Sequence, residues 1–228
     1  METIKLIAVD IDGVLVEDTF SPVLRSIAFK LGGEYTRELE RNVFSRPRHE
    51  GRDYIFKTFN ITEKDIPHGF LEARKKYIET HGCGLVEGVP EFLELLHSLK
   101  VKLVCYGGLV EELTPKEFKN HLHYFDQYIC TNDFRPGIKE ITKEFYNMEY
   151  NQVLFIDDVN TVAEAAKSLN VPFIGIPADF SWGYQRQDMI RTGVKYLLKS
   201  IRDIDKKLLE KIDREAASGT IWKSSERT

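Results

Sequence analysis

Apolar positions along the chain fall into two regimes. In one, short unbroken apolar runs alternate with segments of helical period. In the other, from about Asp18 to Gly82, only the helical period is present. The runs Leu6–Val9, Val101–Tyr106, Tyr128–Cys130, Gln152–Ile156 and Val171–Ile176 are too short for helices and rich in strand formers, so they read as strands. Strands that are apolar without alternation belong to parallel sheets covered on both faces. Between them lie four predicted helices. One is opened by Gly88-Val89-Pro90 and carries Phe92, Leu93, Leu95, Leu96 and Leu99. Another runs from Thr114-Pro115 towards His121, a third covers Ile138 to Asn147, and an alanine-rich one covers Thr161 to Leu169. After Ile176 the pattern predicts loop, a charged helix from Lys199 to Ala216, and a polar tail that frays. Strand–helix alternation at this spacing predicts an α/β protein with a doubly wound parallel sheet of Rossmann-like type.

The purely helical block interrupts this alternation straight after the first strand. Ser21-Pro22 starts a helix that Gly32-Gly33 ends, and Thr36 caps the next, to about Phe44. Ser45 to Arg52 reads as a loop carrying Arg46, Arg48, His49 and Arg52, followed by a helix from Asp53 to Phe59. Thr62 begins another, which Pro67 interrupts or restarts before Phe70 to Thr80. Because the block leaves from the loop after strand one, it should stand over the carboxyl end of the sheet. That is where open α/β sheets place their ligands.

The first strand ends in Asp10-Ile11-Asp12-Gly13. A turn capping a strand would explain two such acids. So would a site where one carboxylate attacks and the other moves protons, with a hard divalent cation offsetting their repulsion or one acid keeping its proton. An EF-hand loop is excluded, because the third acid and the glutamate at position twelve are missing. The fourth strand repeats the geometry with Asp157-Asp158. Two acidic strand ends on one sheet favour the site, since they can face each other across one crevice and share a cation.

Composition narrows the class. The chain has 228 residues, 42% hydrophobic and 30% charged, with net charge −4, so it can bury a core and lacks the basic footprint of a nucleic-acid binder. No apolar run is long enough to span a membrane, and the start lacks a signal peptide's basic and apolar regions. Cys83, Cys105 and Cys130 are scattered and fit a reducing compartment, so the expected location is cytoplasmic.

In this order, the motifs resemble the haloacid dehalogenase-like hydrolase superfamily over nearly the whole chain. Asp10-Ile11-Asp12-Gly13-Val14 matches its first motif and Asp157-Asp158 its fourth; Leu85 to Pro90 matches the re-entry into the core. The helical block resembles the α-helical cap of the phosphoglycolate phosphatase and β-phosphoglucomutase branch. The resemblance implies a core domain of residues 1–16 and 84–228 with an inserted cap domain of residues 17–83. It further implies a Mg²⁺-dependent phosphatase acting on a small phosphorylated metabolite, as a monomer or homodimer. The alternatives are a phosphomutase of the same family or a catalytically weak binding or regulatory member.

Residue by residue, the resemblance makes Asp10 the nucleophile, forming an aspartyl-phosphate, and Asp12 its proton partner. Mg²⁺ would be held by Asp10, the backbone carbonyl of Asp12 and Asp158, with Asp157 acting through water. Dehalogenases of this fold use no metal and need no second acid, so Asp12 favours phosphoryl transfer. Three positions depart from the pattern. Gly107 stands where the second motif has Ser or Thr, leaving the backbone amides of Gly107 and Gly108 to form an anion nest, with Tyr106 either helping or packing in the core. The third-motif lysine is replaced by Arg135 or supplied by Lys139, and Val162 stands where many members have Asp. Arg46, Arg48 and Arg52 fall where cap residues meet substrate and suit a second anionic group; as an exposed basic loop they would only be solvated. The Ser181-Trp182-Gly183-Tyr184 loop reads as packed aromatics that could also border the site.

Overall fold

The computed structural model describes residues 1–65 and 69–223. Six parallel strands lie in the order β3-β2-β1-β4-β5-β6. They are β1 (Leu6–Asp10), β2 (Lys102–Gly107), β3 (Gln127–Cys130), β4 (Val153–Asp157), β5 (Phe173–Gly175) and β6 (Tyr196–Leu197). Successive residues of the central strands enter opposite apolar layers. Ile7, Val9, Leu103, Cys105, Leu154 and Ile156 join one layer; Leu6, Ala8, Val104, Tyr106, Val153 and Phe155 join the other. Burial on both faces is why these strands carry no polar alternation.

Four helices span the block after β1: α1 (Phe20–Lys30), α2 (Arg37–Val43), α3 (Arg48–Phe59) and α4 (Gly69–His81). Thr36 caps α2 as expected, its hydroxyl accepting from the Leu39 amide at 3.1 Å. α3 starts at Arg48, earlier than the sequence pattern predicts. Pro47 immediately before it is suited to a helix entry, and a strongly polar first turn hides the apolar period. The expected helix at Thr62 is only a 3-10 turn, Glu63–Asp65; the break at Pro67 lies outside the described residues.

The sheet's first apolar layer is covered by α5 (Val89–Ser98) and, at the end of the chain, α9 (Lys206–Ser218). α6 (Lys116–Lys119) is shorter than predicted, and the segment before β4 is a π-helix, Glu140–Phe145. α7 (Asn160–Ser168) and α8 (Gln185–Thr192) cover the second layer. Neither α8 nor β6 is legible in the sequence, because one is almost wholly polar and the other is two residues long. The last helix begins at Lys206 rather than Lys199, because Ser200 and Asp205 cap separate elements there. Among the described residues no helix is long and apolar enough to cross a membrane.

The helical block joins the sheet through two adjacent crossings. Val16 bridges Leu85, the Glu17 amide donates to the Gly84 carbonyl at 3.0 Å, and Val86 donates to Leu15 at 3.0 Å. Strand order reverses at β1, with β2 on one side and β4 on the other, so the sheet's switch point lies at Asp10.

Asp213 of α9 fixes the approach to β1. It is buried and accepts from the amides of Glu2, Thr3 and Ile4 at 2.8, 3.0 and 2.7 Å. Asp213→Ala leaves those donors unpaired, and urea denaturation should show a loss of about 2–3 kcal/mol.

Candidate active site

β1 delivers Asp10 to the switch point. One step beyond the Val9↔Ile156 register, β4 delivers Asp157 beside it, and Asp158 follows. All three carboxylates are buried. Burial raises the pKa of Asp10 first, with the charge of Asp157 adding to it and Arg135 opposing. Asp158 is raised by burial, then by Asp157 and Asp10. Asp157 is raised less, to about 6, because Arg135 and three hydrogen bonds oppose its burial.

Those hydrogen bonds separate the roles of the paired acids. Asp157 Oδ2 accepts from the Tyr106 hydroxyl at 2.6 Å, and Oδ1 accepts from the Val159 amide at 2.7 Å. Tyr106 is therefore both core and site: its ring is fully buried, and its hydroxyl orients an acid. By contrast, Asp10 Oδ1 and Asp158 Oδ1 are buried without a hydrogen-bond partner. Gly13, at φ 102°, carries the chain so close that a Cβ there would overlap the Asp158 carboxylate. Two orphaned carboxyl oxygens in a tight cradle fit a divalent cation, which would offset the repulsion that raises their pKa. Among the described residues no three His, Cys, Asp or Glu side chains converge as a ligand set. The side chains that fit a cation here are thus the two carboxyl groups of Asp10 and Asp158.

Arg135 reaches this cluster, with Nη2 3.8 Å from Asp10 Oδ1. Nη1 donates to Thr131 Oγ1 at 3.3 Å and Nη2 to Ser45 Oγ at 3.1 Å. Lys139 is exposed and the structure does not bring it here. It sits at the N-cap of the following π-helix and is not among the residues lining the cavity, whereas Arg135 is.

The helical block adds a cation that sequence reasoning missed. Arg74 of α4 is buried, donates to Asp12 Oδ1 at 3.0 Å and to Thr19 Oγ1 at 2.7 Å, and lies 5.0 Å over the Phe20 ring. Burial raises the Asp12 pKa and Arg74 is the main influence lowering it. Nothing local in the polar sequence of α4 signals this, since the pair is 62 residues apart. Asp18 also lines the crevice, accepting from the Phe20 and Ser21 amides at 2.8 and 3.0 Å.

Between sheet and helices lies a cavity of about 560 Å³. Asp10, Asp12, Asp158, Gly108, Asn132 and Arg135 line it from the sheet side. Ser45, Arg46, Arg48 and Arg52 line it from the helical side, with Phe44, Ile55, Phe56 and Phe70 forming an apolar wall. Arg48 Nη2 donates to the Gly108 carbonyl at 3.0 Å, and Arg52 pairs with Asp53 at 2.9 Å. Being four apart on α3, Arg48 and Arg52 share one helix face. Gly107 does not line the cavity itself, although a Cβ there would lie 3.9 Å from Asp12 Oδ2. The Trp182 loop packs on the helices, Trp182 and Tyr184 flanking Tyr35 at 5.0 and 6.3 Å.

The family model of haloacid dehalogenase-like hydrolases matches residues 4–170. The chain belongs to that family. It is 26% identical, over 178 residues, to a phosphorylated carbohydrates phosphatase of Thermotoga maritima, covering 71% of this chain and 80% of the relative. Its fold is similar to a β-phosphoglucomutase from Clostridium difficile, with TM-score 0.65 and 18% identity over 94% of this chain and 99% of that one. It is also similar to a predicted phosphoglycolate phosphatase from Haemophilus somnus 129pt, with TM-score 0.64 and 16% identity over 92% and 98%. The sheet, its inserted helices and the Rossmann-like class expected from sequence agree with these folds.

Two outcomes follow from the site's electrostatics. Arg74→Ala strands a buried carboxylate, and chemical denaturation should show a loss of about 3–5 kcal/mol, with a smaller loss for Arg74→Lys. The raised carboxyls bind protons more tightly folded than unfolded, so their stabilising contribution is full below the unfolded value of 3.8 and is lost as pH rises through the folded values, about 6 for Asp157. With chelator present, the melting temperature should therefore fall between about pH 5 and 7.5, and added Mg²⁺ should recover more at the upper end. A flat profile with no Mg²⁺ effect contradicts the cluster.

Proposed function

We propose that this hydrolase is a Mg²⁺-dependent phosphatase of small phosphorylated metabolites, built from a core of residues 1–16 and 84–228 and a cap of residues 17–83. The observation that carries the reading is the pair of orphaned, buried carboxylate oxygens on Asp10 and Asp158, facing a cavity rimmed by arginines. The relative named for phosphorylated carbohydrates supports the substrate class.

A carboxylate oxygen of Asp10 attacks phosphorus, forming the P–O bond to Asp10 as the bond to the leaving oxygen breaks. Asp12 gives its proton to that oxygen. In the second step Asp12 takes a proton from water, whose oxygen attacks the aspartyl-phosphate; phosphate leaves and Asp10 returns as carboxylate. Burial and Arg74 push Asp12 in opposite directions, which suits a group that is acid in one step and base in the next. Asp10, Asp158 and the Asp12 backbone carbonyl would hold Mg²⁺, and Asp157 supports the set through its hydrogen bonds. When bound, the ion neutralises the attacking carboxylate against an anionic phosphate and stabilises charge on the transferring oxygens. Arg135 places a positive charge against the phosphoryl site in the lysine's stead. Arg46, Arg48 and Arg52 bind a second anionic group of the substrate, and Gly108, which lines the cavity, offers a backbone amide to the phosphoryl group.

Phosphate release from an aryl phosphate and a panel of sugar phosphates tests the reading. Turnover should require Mg²⁺, stop with chelator and fall by at least about 10³-fold in Asp10→Asn. Unchanged turnover in Asp10→Asn removes the nucleophile. Sugar-phosphate isomers forming without phosphate release would instead assign a phosphomutase.

A further inference from the structure

The core offers no side-chain hydroxyl at the end of β2, where Gly107 stands. Space does not forbid one: a Cβ on Gly107 would meet only ordinary contacts, Ile11 Cδ1 at 3.6 Å and Asp12 Oδ2 at 3.9 Å. Two hydroxyls instead converge on Arg135, and their hydrogen bonds distinguish them.

Thr131 Oγ1 accepts from Arg135 Nη1 at 3.3 Å and donates to the Gly107 carbonyl at 3.1 Å. Its proton is committed. Ser45 Oγ accepts from Arg135 Nη2 at 3.1 Å and donates to no acceptor among the described residues. Its proton is free. Ser45 is buried, lines the cavity that Asp10 lines, and shares with Asp10 Oδ1 the same guanidinium nitrogen. Its backbone is also held in the left-handed region, at φ 50°. A non-glycine residue there costs free energy and persists where its surroundings impose it, which happens most at functional sites.

We infer that Ser45, a residue of the helical layer, donates the hydrogen bond to the transferring phosphoryl group that the core does not supply at Gly107. The inference rests on the phosphatase reading for the identity of the anion. Polarised by the guanidinium whose hydrogen bond it accepts, the hydroxyl is a charge-assisted donor available to an anionic oxygen in the cavity it lines. The same arginine thus positions the donor and offsets the charge it meets.

The test compares the parent with Ser45→Gly, Ser45→Gly/Gly107→Ser and Ser45→Ala, in Mg²⁺, by aryl phosphate hydrolysis and by calorimetric affinity for inorganic phosphate. Ser45→Gly removes the hydroxyl while relieving the left-handed backbone, so its melting temperature should match or exceed the parent's. Its kcat/KM should fall about 100-fold, the scale of losing one oxyanion donor, and phosphate should bind more weakly. Gly107→Ser in that background should recover at least about tenfold, by returning a hydroxyl from the strand side. Ser45→Gly retaining parental kcat/KM and phosphate affinity overturns the inference. So does a loss that Gly107→Ser leaves uncorrected, which would make Ser45 a packing residue. A folded parent that hydrolyses no phosphomonoester defeats the phosphatase reading, and phosphate affinity then still reads Ser45 by itself.

Discussion

Everything at this site depends on one electrostatic problem: Asp10, Asp12, Asp18, Asp157 and Asp158 are drawn together where the sheet changes direction, away from water. Burial is the largest influence on each, and like charges add to it at Asp10, Asp12 and Asp158 in a medium that screens poorly. The protein relieves the cluster unevenly. Asp157 is satisfied by a hydroxyl and an amide, Asp12 is paired with Arg74, and Asp18 is held by the first turn of α1. Asp10 has a guanidinium at 3.8 Å, while one oxygen each of Asp10 and Asp158 is left over. Buried acids left without partners in a crevice are the candidates for chemistry or metal binding.

The relief also binds the two parts of the molecule to each other. Arg74 reaches from α4 into the acidic cluster, Arg48 of α3 caps the Gly108 carbonyl, and Ser45 accepts from Arg135. At the far edge, Arg37 and Arg41 of α2 pair with Asp188 and Glu164 of the core helices, and Glu40 accepts from the Tyr184 amide. The helical layer is therefore not a passive cover. It sets the charge balance around Asp12 and closes a cavity whose floor alone is strongly anionic. Removing it would expose the acids to water and unpair Asp12 at once.

What was legible in the sequence follows from the range of each signal. Strands buried on both faces announce themselves in a few consecutive residues, so β1, β2 and β4 and both acidic ends are readable. Helix caps are equally local, as at Thr36. Contacts across the fold are not. Arg74 sits in a helix whose neighbours are mostly charged, and nothing marks it as the buried one. Ser45 lies in a segment that reads as basic loop because arginines dominate it, and only the fold shows its burial, its left-handed backbone and its hydrogen bond from Arg135. Arg135 and Lys139 compete on residue type and order, and only the fold shows that Arg135 lines the cavity while Lys139 is exposed. Tyr106 shows the opposite lesson: packing does not preclude a polar contact at the acidic cluster, since its ring is core and its hydroxyl donates to Asp157.

Gly107 is the feature that most favours a catalytically weak protein, and geometry weakens that inference. Stabilising a transferring phosphoryl group requires a donor at the right point in space, not from a particular strand. A hydroxyl on β2 would be in place whatever the helical layer did. A hydroxyl on Ser45 is in place only when that layer is docked and Arg135 holds it. On the proposed reading, placing the donor on the helices makes it depend on the contacts that hold that layer to the core, Ser45 to Arg135 and Arg74 to Asp12.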